Sequence, residues 1–256
     1  MPALPRFGQL DAGDHWHAVD LLSDLHLQAP DATFDALRHH LRDTDADAVI
    51  LLGDVFEAWV GDDAVAAGGF AAEAASLLHE ASRRLALFFM HGNRDFLVGQ
   101  PFAAAAGMQL LADPTVLAWG GRRWLLSHGD ALCLGDADYL RLREQVRRPD
   151  WVHAFLARPL PERQAIARDM RERSRMHQQS LPGWTDLDPA ATRAWLEACG
   201  CSTLLHGHTH HPAHHDLGGG LSRVVLSDWD ALAYPPRADV LRLHADGRIE
   251  RLSPLR

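Results

Sequence analysis

Short apolar runs alternate with helical patterns through the first half of the chain. Residues 17–23 (HAVDLLS) predict a strand. Phe34, Leu37 and Leu41 recur at helical spacing and predict a helix over residues 31–42, just after Pro30. Residues 48–52 (AVILL) are apolar throughout, as in a strand covered on both faces. Residues 71–84 carry a second helical pattern, and residues 85–90 (LALFFM) a second apolar strand. Residues 123–127 predict a strand that Gly120-Gly121 turns back onto residues 115–119. Later strands fall at residues 203–205, 223–226 and 239–243, and Asp246-Gly247 pairs the last of these with residues 248–252. Strands separated by helices imply a layered α/β domain, and the hairpins make its sheets mixed.

Residues 136–180 break this alternation. Trp151 and Phe155, and Leu142 and Val146, recur at helical spacing, punctuated by Pro149, Pro159 and Pro161. Ten arginines against seven acids give the stretch +3, so with −9 overall the remainder carries −12. The chain thus reads as one domain over residues 1–256 with a helical insertion at 136–180. A piece of that size cannot bury two helix faces by itself. Part of its apolar surface (Trp151, Val152, Phe155, Leu156, Leu160, Ile166, Met170) must face the main domain or a ligand.

Composition narrows the class. A chain of 256 residues, 47% hydrophobic and 23% charged, excludes wholesale disorder. No apolar run approaches the ~18 residues of a spanning helix, and residues 1–10 lack a signal-peptide layout. A cytoplasmic location is expected. A net charge of −9 argues against nucleic acid as a partner. Cys133, Cys199 and Cys201 contain no CxxC, which suits a reducing compartment and idle thiols.

The chemistry gathers at strand ends. The apolar strands are followed in turn by Asp24-Leu25-His26, Gly53-Asp54, Gly92-Asn93-Arg94-Asp95, Ser127-His128-Gly129-Asp130 and His206-Gly207-His208-Thr209-His210. Open α/β folds build their sites beyond the carboxyl ends of strands. On an extended chain Asp24 and His26 point the same way and can chelate one ion, as can His208 and His210. His206 is expected behind the ligands. His39-His40 reads as an exposed helix face, and the loop with Glu57, Trp59, Asp62 and Asp63 as a polar surface loop or a wall of the site.

In this order the five motifs resemble the calcineurin-like metallophosphoesterases, over residues 17–212. The resemblance implies a sandwich of two mixed β-sheets flanked by helices, around a two-metal centre. Asp24, His26 and His210 would hold one ion, Asn93, His128 and His208 the other, and Asp54 would bridge them. The charges agree: two divalent ions bring +4 against −2 from the aspartates, which leaves charge to hold a phosphate. Donors of N and O without thiolate suit manganese, iron or zinc, and family usage points to two Mn2+.

One departure is informative. Most members of that family have His after the Asn, thought to protonate the leaving group; this chain has Arg94. A guanidinium is no proton donor at neutral pH, but a phosphate leaving group, with a second pKa of ~6, needs none. The sequence therefore points to a pyrophosphate bond, with Arg94 clamping a phosphate oxygen. Together with the runs around Asp24, Asp54 and His128, this variant is similar to the UDP-2,3-diacylglucosamine pyrophosphatases of lipid A synthesis. That resemblance implies attack of metal-activated water on the α-phosphorus of a UDP-linked diacylated glucosamine lipid. Asp54, Asn93, Arg94 and His128 would form the catalytic group. Asn93, Arg94, Asp136, Ser174, Gln178 and His208 would contact substrate, with Leu181 near the slot of a family lysine. Residues 136–180 would form a lipid-binding cap. Attachment to the cytoplasmic face of the inner membrane would be peripheral, and no protein partner is inferred. Two alternatives remain: a related enzyme for a soluble nucleotide, and a metal-binding or membrane-docking module without turnover. The second is disfavoured, since a structural metal needs no bridging carboxylate.

Overall fold

In the computed structural model residues 4–180 and 185–255 are described, apart from the side chains of residues 175 and 177–180. One sheet carries four parallel strands in the order they occur: β2 (Ala18–Leu22), β3 (Ala48–Leu52), β4 (Ala86–Met90) and β5 (Met108–Leu111). The hairpin β11 (Val240–His244) and β12 (Ile249–Leu252) extends it antiparallel beyond β2. The other sheet runs β1 (Gly8–Asp11), β6 (Thr115–Trp119), β7 (Arg122–Ser127), β8 (Thr203–His206), β10 (Leu221–Val225) and β9 (Ala213–Gly218). Both sheets are mixed, as the hairpins predict.

The wholly apolar runs sit where two layers meet. Val19, Leu21, Ile50, Leu52 and Met90 face the second sheet, against Leu117, Leu126 and Leu205. Alternate residues Leu22, Val49, Leu51 and Phe89 face helices α1 (Ala32–Asp43), α3 (Phe70–Ser82) and α4 (Gln100–Ala106), with the short α2 (Asp63–Ala66) beside them. The Asp31 carboxylate starts α1 by accepting from the N–H groups of Thr33 and Phe34. Across the molecule α8 (Pro189–Cys199) packs Trp195 and Leu196 on Leu125 and Leu204. The strands that patterning does not reveal, β1, β5 and β9, are edge strands: each has a single partner. In β1 and β9 every second residue is exposed, and only half the apolar signal is needed.

The insertion folds as α5 (Ala137–Val146), α6 (Pro149–Leu156) and α7 (Leu160–Ser180). Much of its apolar surface faces the main domain. Phe155 is buried in the helix-side core, and Trp151, Val152, Leu160 and Ile166 pack against it. Trp151 stacks on Phe155 and lies 6.2 Å from the Phe96 ring. Arg163 is 2% exposed and donates to Val60 O and the Asp63 carboxylate. Leu142, Leu156 and Met176 stay exposed.

Candidate metal centre

Strands β2, β3, β4, β7 and β8 end at one side of the sandwich, and the five motifs follow them. Among the described residues, the non-glycine positions with left-handed φ are Asp24 (56°), His26 (50°), Asp54 (52°), His208 (66°) and His210 (56°). All five are expected ligands. Each such conformation costs of order 1 kcal/mol or more and persists only where the surroundings enforce it. The extended chain expected at Asp24–His26 and His208–His210 is thus corrected: sharp left-handed turns, not alternation along a strand, bring these side chains together.

The turns lock onto one another. Asp24 N–H donates to Gly53 O (3.1 Å), His26 N–H to Asp54 O (3.0 Å), and Gly207 N–H to His128 O (3.1 Å). A Cβ on Gly92 would stand 2.3 Å from Asp54 N, and one on Gly207 1.9 Å from Ser23 Oγ. Those two positions must be glycine for the loops to approach this closely. The buried Asp95 carboxylate accepts from Gly92 N–H and Val55 N–H, both at 2.8 Å, and clips the second motif to the third. Burial, then the nearby Asp54, pushes its pKa up to about 7.

Two donor clusters result. In the first, His210 Nε2 lies 3.2 Å from Asp24 Oδ1 and 3.3 Å from His26 Nε2. In the second, His128 Nε2 lies 3.0 Å from Asn93 Oδ1 and 3.7 Å from Asp54 Oδ1, with the His208 ring 5.1 Å from that of His128. Asp24, Asp54 and His128 also present donor atoms within 4.8 Å of one another, so Asp24 reaches both clusters. Three of the expected ligands are aimed from behind. His128 Nδ1 is bonded to Leu52 O (2.9 Å), and His26 Nδ1 lies 2.9 Å from Glu57 Oε2, which turns both Nε2 atoms to the centre. Asp24 Oδ2 accepts from Ser23 Oγ (2.7 Å) and His208 N–H (2.8 Å), leaving Oδ1 for the cluster.

The electrostatics match a cation site. Burial raises the Asp24 carboxyl, but the His210 hydrogen bond and the fields of His128, His210 and His26 hold it well below the usual range. Burial lowers the His128 imidazole, but Asp54, Asp24, Asp130 and Asp113 together outweigh this and raise it to about 9. Burial, then His128, takes His208 down to about 4. Burial lowers His26 too, but Glu57, Asp54 and Asp24 raise it, so without metal the His26 and His128 imidazoles favour the protons that balance buried carboxylates. A donor set of nitrogen and oxygen around that charge fits divalent ions.

The sequence profile of the calcineurin-like phosphoesterases matches residues 17–212. The chain belongs to that family. Curated relatives include the UDP-2,3-diacylglucosamine hydrolases of Chromohalobacter salexigens, Chromobacterium violaceum and Stutzerimonas stutzeri. They are 44%, 45% and 42% identical to this chain, over 82%, 83% and 86% of it and 87%, 90% and 94% of their own lengths. This calcineurin-like phosphoesterase is a metal-dependent hydrolase, with the two mixed sheets the family resemblance implies.

The phosphoesterase centre has a second layer. Arg94 donates its backbone N–H to Asp54 Oδ1 (2.7 Å) and holds its guanidinium 3.9 Å from Asp54 and 3.7 Å from Glu57. Glu57 pairs with Arg171 of α7 as well as with His26. In the loop after Asp54, Glu57 is therefore a wall of the site, while Trp59 packs in the core, Asp62 accepts from Gly99 and Phe102 N–H, and Asp63 is an exposed partner of Arg163. On the other side, Asp130 accepts from Tyr139 Oη (2.5 Å) and Arg143 Nε (2.7 Å), Arg147 donates to Gly92 O (2.8 Å), and the Tyr139 ring stacks beside His208. Helix α5 is thus bound to the third and fourth motifs.

The expected substrate residues divide. Asn93, Arg94 and His208 stand at the centre. Asp136 caps α5, accepting from Tyr139 N–H (2.9 Å). Ser174 is exposed, one helical turn beyond Arg171. The Gln178 side chain and Leu181 lie outside the described residues. His40 is not an exposed face residue: its Nε2 is 3.1 Å from the buried Asp20. His206 is buried behind the ligands, bonded to Gly207 O. Sequence reasoning missed Tyr139, Arg171 and Asp228, whose carboxylate lies 4.0 Å from His210 Nδ1; Glu57, three residues beyond Asp54 in an otherwise apolar stretch, was the one with a visible signal.

Proposed function

We propose that this phosphoesterase cleaves the pyrophosphate bond of UDP-2,3-diacylglucosamine, releasing UMP and 2,3-diacylglucosamine 1-phosphate (lipid X) in lipid A synthesis. The relatives named for that substrate support the reading. The observation that carries it is Arg94, which occupies the motif position of the usual leaving-group acid with its guanidinium 3.9 Å from Asp54.

Asp24, His26 and His210 would hold one divalent cation and Asn93, His128 and His208 the other, with Asp54, and Asp24 by its reach, between them; two Mn2+ are the preferred ions. Bound there, such cations acidify water and offset the charge of a diphosphate. The protein residues do the rest. Glu57 and Leu52 O stand against Nδ1 of His26 and His128, so that the neutral rings that would hold a cation carry their proton on Nδ1 and turn a bare Nε2 to the centre. Arg94 takes a phosphate oxygen of the substrate and stabilises charge that grows on it as the bond to the leaving phosphate breaks. No side chain has to protonate that phosphate. Asn93 and His208 lie beside the reacting diphosphate, and Asp136, Ser174 and Gln178 along the path of the glucosamine lipid. Residues 136–180 form the lipid-binding cap, on a protein held peripherally at the cytoplasmic face of the inner membrane. Among the described residues no helix is long and apolar enough to cross a membrane. No nucleic acid or protein partner is part of this reading.

Hydrolysis in oxygen-18 water tests it. Label is expected in UMP, because attack is at the α-phosphorus. Label in the lipid phosphate would move the attack to the other phosphorus. Equal cleavage of UDP-N-acetylglucosamine would replace the lipid with a soluble nucleotide.

A further inference from the structure

Leu232 and Tyr234 are 78% and 101% exposed, more than any other large apolar side chain among the described residues. They occupy the tip of the loop between β10 and β11. That tip, Ala231-Leu232-Ala233-Tyr234-Pro235-Pro236, has six residues without a charge. Its base is tightly held. Asp230 and Arg237 exchange backbone hydrogen bonds (2.8 and 2.9 Å), and the Arg237 guanidinium lies on the Asp228 carboxylate (2.9 and 2.7 Å). Ala231 N–H donates to Thr33 Oγ1 (3.2 Å) and Trp229 Nε1 to Asp239 O (3.0 Å). The apolar tip is therefore presented by a fixed loop.

The loop also borders the metal centre. Trp229 N–H donates to Asp24 O (2.9 Å), and Asp228 lies 4.0 Å from His210 Nδ1. Helix α7 reaches the same cluster through Arg171, Glu57 and His26. Two elements with protruding apolar side chains, Leu232 and Tyr234 on one and Met176 on the other, thus touch the same half of the centre.

We propose that residues 231–236 are a membrane-contact loop: Leu232 and Tyr234 enter the boundary between headgroups and acyl chains and set the mouth of the metal centre against the bilayer. The proposal rests on reading the substrate as a bilayer lipid. An uncharged tip can leave water without desolvating an ion, while the paired Asp228, Asp230 and Arg237 remain in the wet layer. Tyrosine, with an apolar ring and a polar end, suits that boundary. The +3 insertion adds attraction to anionic headgroups, so two individually weak contacts combine.

The test uses the full-length, metal-loaded protein and its Leu232→Ser/Tyr234→Ser variant. Sedimentation with phosphatidylethanolamine–phosphatidylglycerol vesicles should show partition reduced about tenfold or more, the scale of two apolar side chains leaving an interface. UMP release from UDP-2,3-diacylglucosamine embedded in those vesicles should fall in parallel through KM. Release from the same lipid in detergent micelles should match wild type. Unchanged vesicle partition would overturn the proposal. So would a dimer that the double substitution dissolves, because the tip would then belong to a second copy of the chain. If wild type releases no UMP even in detergent, the substrate reading fails, and sedimentation alone still decides on the loop.

Discussion

His128 is fully buried, bonded to the backbone of β3, and surrounded by carboxylates of the fold's own loops. The His210 side chain is 37% exposed, and its neighbour His26 leans on Glu57, which is shared with Arg94 and with Arg171 of the insertion. The two halves of the centre thus differ in what holds them. The buried half is fixed by the sandwich and by helix α5, whose Tyr139 stacks beside His208 and whose Arg147 reaches Gly92 O. The open half is fixed by side chains that also meet α7 and the 228–238 loop. Cation binding in the buried half should be insensitive to α7 and the 228–238 loop, whereas the open half couples its expected ligand His26, Arg94 and α7 through one carboxylate.

The harshest test removes the residue the halves share. Asp54→Ala should lower kcat by roughly 10³-fold or more, since several kcal/mol of charge stabilisation would pass through the proposed bridge. Metal analysis should show a loss from both halves. Full activity at normal stoichiometry would dissolve the dinuclear comparison. Arg94→Ala comes next: kcat/KM should fall roughly 10²–10³-fold, as for loss of one transition-state contact, with metal content retained. Loss of both ions would instead make Arg94 a structural clamp on Asp54.

That the first of these tests could be chosen from sequence reflects how the two halves are written in it. Expected ligands at strand ends are readable because each follows a short apolar run, and the central strands β2, β3, β4, β7 and β8 supply those runs. The contacts that tie the insertion to the two halves are not readable. Glu57 to Arg171 spans 114 positions, and Asp130 to Arg143 joins a loop to a helix surface whose register depends on packing. Local pattern carries no information on such pairs. The left-handed φ at the five expected ligands was equally hidden, because these residues adopt that region only under enforcement by their neighbours.

Glu57→Gln sharpens the comparison at smaller amplitude. The amide keeps the shape but weakens the hold on His26 and the pairing with Arg94 and Arg171. Affinity for the ion of the open half should fall roughly 10–100-fold, the usual scale for a residue behind a ligand, and the buried half should stay loaded. Competition titration with a chelating dye resolves the two sites; parallel weakening of both would show that the halves are not held separately. Glu57→Asp should restore less than wild-type affinity, being shorter by one methylene.

The smallest effect concerns protons, and it belongs to the buried half. In the metal-free protein burial works against the charged His128, but Asp54, Asp24, Asp130 and Asp113 together raise its pKa to about 9, against ~6.5 for an unfolded chain. A group raised on folding stabilises fully below its unfolded value and loses that contribution as pH climbs through its folded value. Metal-free protein should therefore lose thermal stability between pH ~6.5 and about 9, part of it through His128. Asp95, raised to about 7 by burial and then Asp54, acts in a lower window, so a scan upward from about pH 7.5 leaves mainly imidazoles, His128 and His26, the latter raised against burial by Glu57, Asp54 and Asp24. A bound cation requires the neutral ring and displaces that proton. Loading metal at pH 7.5 should thus release protons, detectable as a dependence of the calorimetric heat on buffer ionisation, and the release should fade above pH 9. The metal-free His128→Asn variant should show a flatter stability slope than wild type over the same range. An unchanged slope would place the proton elsewhere and remove the electrostatic distinction between the halves.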